Sequence, residues 1–295
     1  MPRIAPILLG ICALPLAAEA GPAAADAAPP AVDAAPPSPW SHEGRIGLFI
    51  NTSSNSNADS SLDATIADSN EYYSYQASFN GSLTWEVDPQ EVEQTLIADF
   101  GRQKDEKDAW EDGNDVIDYD AIYRYHLNEH QRLSGAIGID SVFTGKAPDN
   151  ELFDPTLLKI IAGYGQEFDW KIDERVTSVE WRTGPRAQRR FGRGLGPERR
   201  DWEAGWELYG KVSYAPREGV EFWAAYEAFA EFNDPGHISN LLTGGIAYQL
   251  TAYITATLSV RGYYETAPEE IADDTPGYDE FSYMQDSMIG LTYTF

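Results

Sequence analysis

The chain contains few of the residues on which several large protein classes depend. Among 295 residues it has one cysteine, four histidines, and only 21 lysines and arginines against 48 aspartates and glutamates. The formal net charge of −27 argues against a nucleic-acid-binding protein, because phosphate binding requires a basic surface. No apolar run in the body of the chain is long enough for a membrane-spanning helix. Aromatic residues make up 13 % of the chain, which is too many for an acidic disordered protein.

The first twenty residues have the three parts of a secretory signal peptide. Met1-Pro2-Arg3 is a positively charged start, residues 4–17 are mostly apolar, and Ala18-Glu19-Ala20 is a small-x-small cleavage site. The single cysteine lies inside this segment, so the mature chain is expected to form no disulfide. Residues 21–39 are almost entirely Ala, Pro and Asp, and we interpret them as a disordered linker. The folded domain is therefore expected over residues 40–295.

Apolar and polar side chains alternate along most of this domain. Between Tyr73 and Val87 every odd position is apolar, aromatic or glycine, and every even position is polar. A period of two predicts a β-strand with one dry face and one wet face, and at about 3.3 Å per residue this stretch can cross a bilayer at a tilt. The pattern predicts twelve strands, at residues 43–50, 73–87, 92–100, 117–127, 133–143, 157–168, 176–186, 202–214, 220–232, 241–250, 254–264 and 283–295.

The connections between the predicted strands alternate between short turns and longer polar loops. In an up-and-down barrel every second connection lies at the same end, so one end has tight turns and the other has long loops. The sequence therefore predicts an all-β fold, a closed up-and-down antiparallel transmembrane β-barrel of about twelve strands in the outer membrane of the cell. The alternative is a soluble β-sandwich or lipocalin-like barrel in which the dry faces form the core.

The dry faces have the layered composition of a lipid-facing belt. Aromatic residues such as Trp85 and Tyr248 lie near the tight turns, and others such as Phe100 and Trp202 lie near the long loops. Mostly Ala, Gly, Leu, Ile and Val lie between them. Two aromatic girdles around an aliphatic band are typical of a barrel that meets two membrane interfaces, which makes the lipid bilayer an expected partner.

The C-terminal residues Ser287–Phe295 resemble the terminal strand of outer-membrane β-barrels, with alternating hydrophobic residues and a final phenylalanine. In that class the segment is recognised by the barrel-assembly machinery. The resemblance therefore implies this machinery as a partner and marks an assembly signal formed by Gly290, Leu291, Tyr293 and Phe295.

Residues 40–295 as a whole resemble the outer-membrane family called domain of unknown function 481, the salt-induced outer membrane protein type. The matching motifs are Gly44-Arg45-Ile46-Gly47-Leu48, Gly163-Tyr164-Gly165, Thr183-Gly184-Pro185-Arg186, and residues 250–258 leading to Ala267-Pro268. A related barrel family, domain of unknown function 3078, matches the N-terminal half about as well. Both resemblances imply an outer-membrane barrel, and neither implies an established activity or a catalytic residue.

The wet faces predict an acidic lumen. If it holds water, such an interior concentrates cations and repels anions, which favours a narrow cation-preferring channel. The other interpretation is a closed barrel with a structural role in the envelope, in which the acidic side chains pair with basic ones. By parity the acidic side chains in the lumen include Glu93, Asp99, Asp118, Asp120, Asp140, Glu203, Glu207, Glu227 and Glu231, and the basic ones include Arg124, Lys159, Lys211 and Arg261.

Basic residues are concentrated in one predicted external loop. Guanidinium groups bind phosphate in a bidentate manner, so lipopolysaccharide is a candidate partner for this loop. The alternative is that the loop pairs with neighbouring acidic loops. The residues are Arg186, Arg189, Arg190, Arg193, Arg199 and Arg200.

One short motif suggests a different function. His237-Ile238-Ser239-Asn240 resembles the His-x-Ser-Asn motif of outer-membrane lipid hydrolases of the deacylase or phospholipase type, in which the His is the general base for the Ser nucleophile. Parity predicts that His237 and Ser239 point inward, away from a lipid ester, and no third catalytic member is identified. We therefore expect no enzyme, and the lipid hydrolase using His237 and Ser239 is the alternative. The other histidines lack metal-ligand spacing, so we expect no metal site, and we expect no cofactor.

Overall fold

The alternating pattern forms twelve long antiparallel strands in the structure, a computed structural model that describes residues 38–57, 60–63, 66, 73–104, 110–143, 153, 156–172, 175–192, 201–268 and 277–295. The predicted signal peptide (residues 1–20) and linker residues 21–37 lie outside this range. The strands are β1 (Trp40–Ser56), β2 (Tyr73–Val87), β3 (Gln90–Lys104), β4 (Trp110–His126), β5 (Gln131–Ser141), β6 (Thr156–Ile172), β7 (Arg175–Phe191), β8 (Trp202–Arg217), β9 (Val220–Glu231), β10 (Ile238–Thr251), β11 (Ile254–Glu265) and β12 (Phe281–Thr294).

Each strand pairs with its neighbours in the sequence, and β12 pairs with β1 to close the barrel. At the seam, the backbone N–H of Gly44 donates to the carbonyl of Phe295 at 3.0 Å, and the N–H of Phe295 donates to the carbonyl of Gly44 at 2.9 Å. Closure satisfies the backbone groups that an open edge would leave unpaired. The predicted closed up-and-down antiparallel barrel of twelve strands is confirmed.

The two faces of the sheet have opposite chemistry. Outward-facing Leu48, Ile137 and Leu208 are exposed, at 63 %, 49 % and 47 % of their surface, whereas inward-facing Glu207 and Phe229 are almost completely buried. Polar and charged side chains therefore fill the interior and apolar side chains cover the outside. This arrangement is the reverse of that in a water-soluble barrel.

One end of the barrel contains the short turns, the start of β1 and the end of β12, and we call it the short-turn end. The opposite long-loop end carries the longer connections. Here several strands continue into segments that the sequence analysis assigned to loops: β3 and β4 pair up to Lys104 and Trp110, and β7 continues to Phe191. A small apolar cluster of Ile66, Tyr263 and Met284 lies inside the barrel at this end. The described residues contain no helix that is long and apolar enough to cross a membrane.

Candidate functional site

The barrel interior contains the charged residues that the sequence analysis predicted for it. They lie on the side of the sheet opposite the exposed apolar residues, as their register with the neighbouring strands requires. This set consists of Glu93, Asp99, Asp118, Asp120, Asp140, Glu203, Glu207, Glu227 and Glu231, with Arg124, Lys159, Lys211 and Arg261.

On one side of the lumen, acidic and basic side chains form a continuous network that we call the ion-paired wall. Lys159 Nζ lies 2.7 Å from Asp140 Oδ2 and 3.5 Å from Glu227 Oε1. Arg186 Nη1 also contacts Glu227 and lies 3.2 Å from Glu207 Oε2. Because each buried carboxylate here meets at least one cation, the desolvation cost of the charges is offset within the wall.

The network continues to the long-loop end through β7, β8 and β11. Arg190 lies 3.2 Å from Glu203 and 3.0 Å from Glu265, and its Nη2 donates to the hydroxyl of Tyr263 at 3.3 Å. Glu265 in turn accepts from His237 Nε2 at 2.8 Å. The ion-paired wall therefore extends from Asp140 in mid-lumen to the mouth of the barrel.

A segment of the connection between β1 and β2 folds into the mouth of the lumen. Arg261 on β11 donates to both carboxylate oxygens of Asp63, at 2.9 and 2.7 Å. Ile66 is fully buried against the inward side chains of Tyr263 and Met284. The hydroxyl of Ser61 lies 2.8 Å from that of Ser282. We call residues 60–63 and 66 the inserted segment, and it narrows the opening at the long-loop end.

Another part of the lumen surface has carboxylates that form no ion pair, and we call it the acidic wall, formed by Asn51, Ser74, Asp99, Asp118 and Asp286. Within the residues that the structure describes, Asp99, Asp118 and Asp286 form no ion pair. From the residues that the structure describes, Asp286 accepts hydrogen bonds from two neutral groups, Nδ2 of Asn51 at 3.2 Å and the hydroxyl of Ser53. A cavity of about 480 Å³ lies against this wall and beneath the inserted segment.

Two aromatic residues lie between this cavity and the short-turn end. The ring of Phe49 covers Gly47 and Gly290, where an added Cβ would lie within 2.6 Å of ring atoms, and the ring of Trp223 covers Gly245 in the same way at 2.9 Å. Glycine at these inward positions lets the rings lie flat against the sheet. Beyond them a vestibule of about 640 Å³ opens at the short-turn end.

A second group of ion pairs lies inside the barrel near the short turns. Arg124 Nη1 lies 2.5 Å from Glu91 and 2.6 Å from Glu93, and His126 Nε2 lies 3.0 Å from Glu91. Arg132 pairs with Glu167 on β6. Arg124 is therefore neutralised by Glu91 and Glu93.

The predicted external basic loop needs correction. β7 continues to Phe191, so Arg186, Arg189 and Arg190 are strand residues and not loop residues. Arg186 and Arg190 point into the lumen and join the ion-paired wall, whereas Arg189 points outward with its guanidinium 5.2 Å from the ring centre of Phe191. The remaining members, Arg193, Arg199 and Arg200, lie outside the described residues.

His237 and Ser239 both face inward, and their surroundings do not suit general-base catalysis. His237 Nδ1 lies 3.0 Å from Glu231 and Nε2 lies 2.8 Å from Glu265. Burial lowers the pKa of His237, but hydrogen bonds to Glu265 and Glu231 outweigh it and raise the pKa to about 9. The imidazole is therefore protonated at neutral pH, with both nitrogens donating. No hydrogen bond joins His237 to Ser239 within the described part of the chain.

The predicted assembly signal lies at the barrel seam. Leu291, Tyr293 and Phe295 point outward and are more than half exposed, and the rings of Tyr293 and Phe295 stack with centroids 6.2 Å apart. Gly290 faces inward under the ring of Phe49. The last strand is thus fully paired, while its outer face stays accessible.

Several residues of the lumen were not identified by sequence reasoning. Asn51 and Phe49 lie on β1, whose inner face the sequence analysis did not assign, and Asp63 and Ile66 belong to a connection without periodicity. Ser74 lay on the predicted wet face of β2, but nothing in the sequence distinguished it from other polar residues. Within the described residues, no group of three or more His, Cys, Asp or Glu converges as a metal site.

No protein-family model matches the chain, and no curated protein matches it. Solved structures with a similar fold include the porin NanC, at 10 % identity and a TM-score of 0.42 over 81 % of this chain and 98 % of that one. An outer membrane channel from Pseudomonas putida F1 has 14 % identity and a TM-score of 0.42 over 90 % of this chain and 100 % of that one. Outer membrane phospholipase A from Escherichia coli has 10 % identity and a TM-score of 0.43 over 84 % and 89 %. At these TM-scores the similarities add nothing to what the strand pairing already shows.

Proposed function

We propose that this chain is an exported, integral outer-membrane β-barrel without catalytic activity, whose narrow lumen prefers cations. Support for the membrane location comes from the outside of the barrel, where apolar residues are exposed on nearly every strand, among them Leu48, Tyr75, Leu96, Tyr123, Ile137, Ile160, Leu208, Tyr226, Ile246, Leu258 and Ile289. A water-soluble protein rarely leaves so large a continuous apolar surface in contact with water. Hydrocarbon is the solvent that suits it.

The observation that carries the cation preference is the unequal distribution of charge around the lumen. Cations and carboxylates neutralise each other along the ion-paired wall, but Asp99, Asp118 and Asp286 on the acidic wall form no ion pair among the described residues. The potential along the open side of the lumen is therefore negative, which attracts cations and excludes anions. The inserted segment and the rings of Phe49 and Trp223 restrict this path to small solutes.

The non-enzymatic part of the proposal is supported by His237. A general base needs a free nitrogen lone pair near the nucleophile. Here both ring nitrogens are engaged by Glu231 and Glu265, and the raised pKa keeps them protonated. Lipopolysaccharide and the barrel-assembly machinery remain proposed partners, the latter through Gly290, Leu291, Tyr293 and Phe295.

Planar-bilayer recordings test the channel. We expect reversal potentials in a salt gradient to show cation preference, and the double variant Asp99→Asn/Asp118→Asn to lose most of it, because the fixed negative charge of the open side is removed. Glu129→Gln, at an exposed position in a short turn, is the matched control and should leave selectivity unchanged. A flat current trace, or selectivity that the double variant leaves unchanged, would contradict the proposal.

A further inference from the structure

A row of inward-facing residues crosses four neighbouring strands along the 480 Å³ cavity. Trp223 on β9 pairs in register with Gly245 on β10, and Gly245 pairs with Ser259 on β11. Ser259 in turn pairs with Asp286 on β12. Opposed residues of an antiparallel sheet have Cβ atoms about 4.5–5.5 Å apart, so these residues are direct neighbours. Trp223, Ser259 and Asp286 all line the cavity, and we call the four residues the tryptophan row.

The indole ring of Trp223 gives the row a flat surface. A Cβ atom added to Gly245 would lie 2.9 Å from Cζ2 and 3.0 Å from Cε2 of this ring, so the ring lies over the backbone of β10. One side of the ring is therefore against the wall, and the other faces the cavity. Its N–H donates to no residue that the structure describes, whereas the indole N–H of outward-facing Trp206 donates to Thr183 Oγ1 at 2.7 Å.

Hydroxyl groups surround this flat surface. Thr243 lies two residues from Gly245 on β10, and Thr257 lies two residues from Ser259 on β11, so all three hydroxyl-bearing side chains share the inner face with the ring. All three line the cavity, and none forms a side-chain hydrogen bond within the described part of the chain. Each hydroxyl can both donate and accept. The cavity thus presents an aromatic face with unpartnered donors and acceptors around it.

The charges of the cavity restrict what this arrangement can hold. Arg261 already donates to both carboxylate oxygens of Asp63, and Arg190 already pairs with Glu203 and Glu265. The carboxylates of the acidic wall repel an anion. A simple cation cannot accept the indole N–H, and an apolar molecule would leave the hydroxyls without partners. A neutral solute that carries many hydroxyls satisfies donors and acceptors alike.

We propose that this cavity binds a neutral sugar in its pyranose form, an inference that rests on the proposed open lumen through which the sugar enters. One C–H side of the sugar ring stacks on Trp223, because the face of an indole carries partial negative charge that attracts C–H groups. The sugar hydroxyls bond to Thr243, Ser259 and Thr257 and donate to Asp286. The volume of about 480 Å³ falls within the range of about 300–1,000 Å³ that is typical of small-molecule sites.

Saturation-transfer NMR on the full chain tests the site with three probes. The chain is folded in an amine-oxide detergent, because the headgroup of a glycoside detergent would compete. Methyl β-D-glucopyranoside has the flat ring and the hydroxyls, glycerol keeps hydroxyls without the ring, and methyl β-D-glucuronoside adds a carboxylate to the ring.

We expect the glucoside to bind most tightly. Glycerol should bind roughly tenfold more weakly or worse, because it cannot stack on the indole ring. The glucuronoside should be weaker by a similar factor, because its charge meets the carboxylates of the acidic wall. Glycerol that binds as well as the glucoside, or a glucuronoside that binds better than it, would overturn the inference.

Substitutions of one residue type locate the site. Trp223→Leu should weaken binding of the glucoside roughly tenfold, because the aromatic face and the N–H donor are both lost. Trp223→Phe, which keeps an aromatic face, should recover part of that loss. The matched control is Trp206→Leu, the same change on the outer face of β8, which should bind as the unaltered chain does. If Trp223→Leu and Trp206→Leu bind alike, the assignment is wrong.

A smaller change covers the case in which Trp223→Leu does not fold, which heat-dependent gel migration checks. Ser259→Ala removes one hydroxyl from the tryptophan row and leaves the ring in place. It should weaken binding of the glucoside about fivefold, the effect of one lost hydrogen bond. Binding that Ser259→Ala leaves unchanged would count against the site.

These measurements separate the inference from the proposed function. Binding in detergent requires neither a bilayer nor ion flow, so glucoside binding that depends on Trp223 together with a flat current trace would leave the site standing and remove the channel. Cation-selective currents from a chain that binds the glucoside no better than glycerol would do the opposite.

Discussion

At the scale of single residues, His237 couples the stability of the barrel mouth to pH. Its pKa is raised from 6.5 to about 9, because hydrogen bonds to Glu265 and Glu231 outweigh the opposing effect of burial. A folded-state pKa above the unfolded value means that the stabilisation is complete below about pH 6.5 and is lost as the pH rises through about 9. The mouth should therefore be less stable in mildly alkaline solution.

Thermal unfolding in detergent between pH 6 and 10 measures this effect. We expect the unaltered chain to lose about 1.5–3 kcal/mol of stability across this range, the size of hydrogen bonds to a charged group. His237→Gln should be less stable at pH 6 and lose most of the pH dependence above it. His130→Gln, at an exposed position in a short turn, is the control. The same pH profile in both variants would show that His237 is not responsible.

The inward positions of single residues follow from sequence, but their partners do not. Parity alone places Asp118 and Glu227 inside, because every second side chain of a strand shares a face. Whether each meets a cation depends on the stagger of strands that are not adjacent. Arg186 on β7 reaches Glu227 on β9, and Arg190 on β7 reaches Glu265 on β11. Contacts between side chains across a closed lumen produce no periodic pattern in the sequence, so they cannot be predicted from it.

At the scale of elements, the alternation predicts the central part of each strand, but it does not predict where the strands stop at the long-loop end of the barrel. All twelve strands occur where alternation predicted them, but β7 extends five residues beyond Arg186. A strand of 17 residues spans about 56 Å, whereas about 9–11 residues cross a bilayer at a tilt. Beyond the apolar band the outer face has no need to be apolar, so Arg189 is tolerated there and the period-two signal stops.

The sequence does not predict the inserted segment, because this connection has no hydrophobic periodicity. The contacts that hold the segment in the lumen can be tested. Ile66 is fully buried against Tyr263 and Met284. Truncating a buried isoleucine to alanine typically costs about 2–5 kcal/mol, which should release the segment from the mouth. We expect Ile66→Ala to raise the single-channel conductance in planar bilayers. Ile50→Ala, the same change at an outward-facing position of β1, should conduct like the unaltered chain. An unchanged conductance in Ile66→Ala would mean that the segment does not restrict the path.

At the scale of the whole molecule, charged and apolar side chains lie on opposite faces of the barrel wall. The chain carries a formal charge of −27, much of its acidic content points inward or lies near the barrel ends, and its apolar side chains form the outside. A soluble barrel would bury the apolar face and solvate the charges. If hydrocarbon surrounds the middle of the barrel, one cause explains both the apolar exterior and the polar interior. Charged side chains can then be solvated or paired inside the barrel and at its ends, but not on the outer face.

A single substitution on the outer face distinguishes a bilayer from water around the barrel. Leu208 points outward near the middle of β8 and is 47 % exposed. In a bilayer, Leu208→Arg near the midplane should lower the free energy of unfolding by about 2–4 kcal/mol. In water, the same change at an exposed position should stay within about 0.5 kcal/mol. Urea unfolding of barrels folded into lipid vesicles measures the difference, with Glu218→Arg in a short turn as the control. A Leu208→Arg barrel as stable as that control would place water against this face, and the membrane assignment would fail with it.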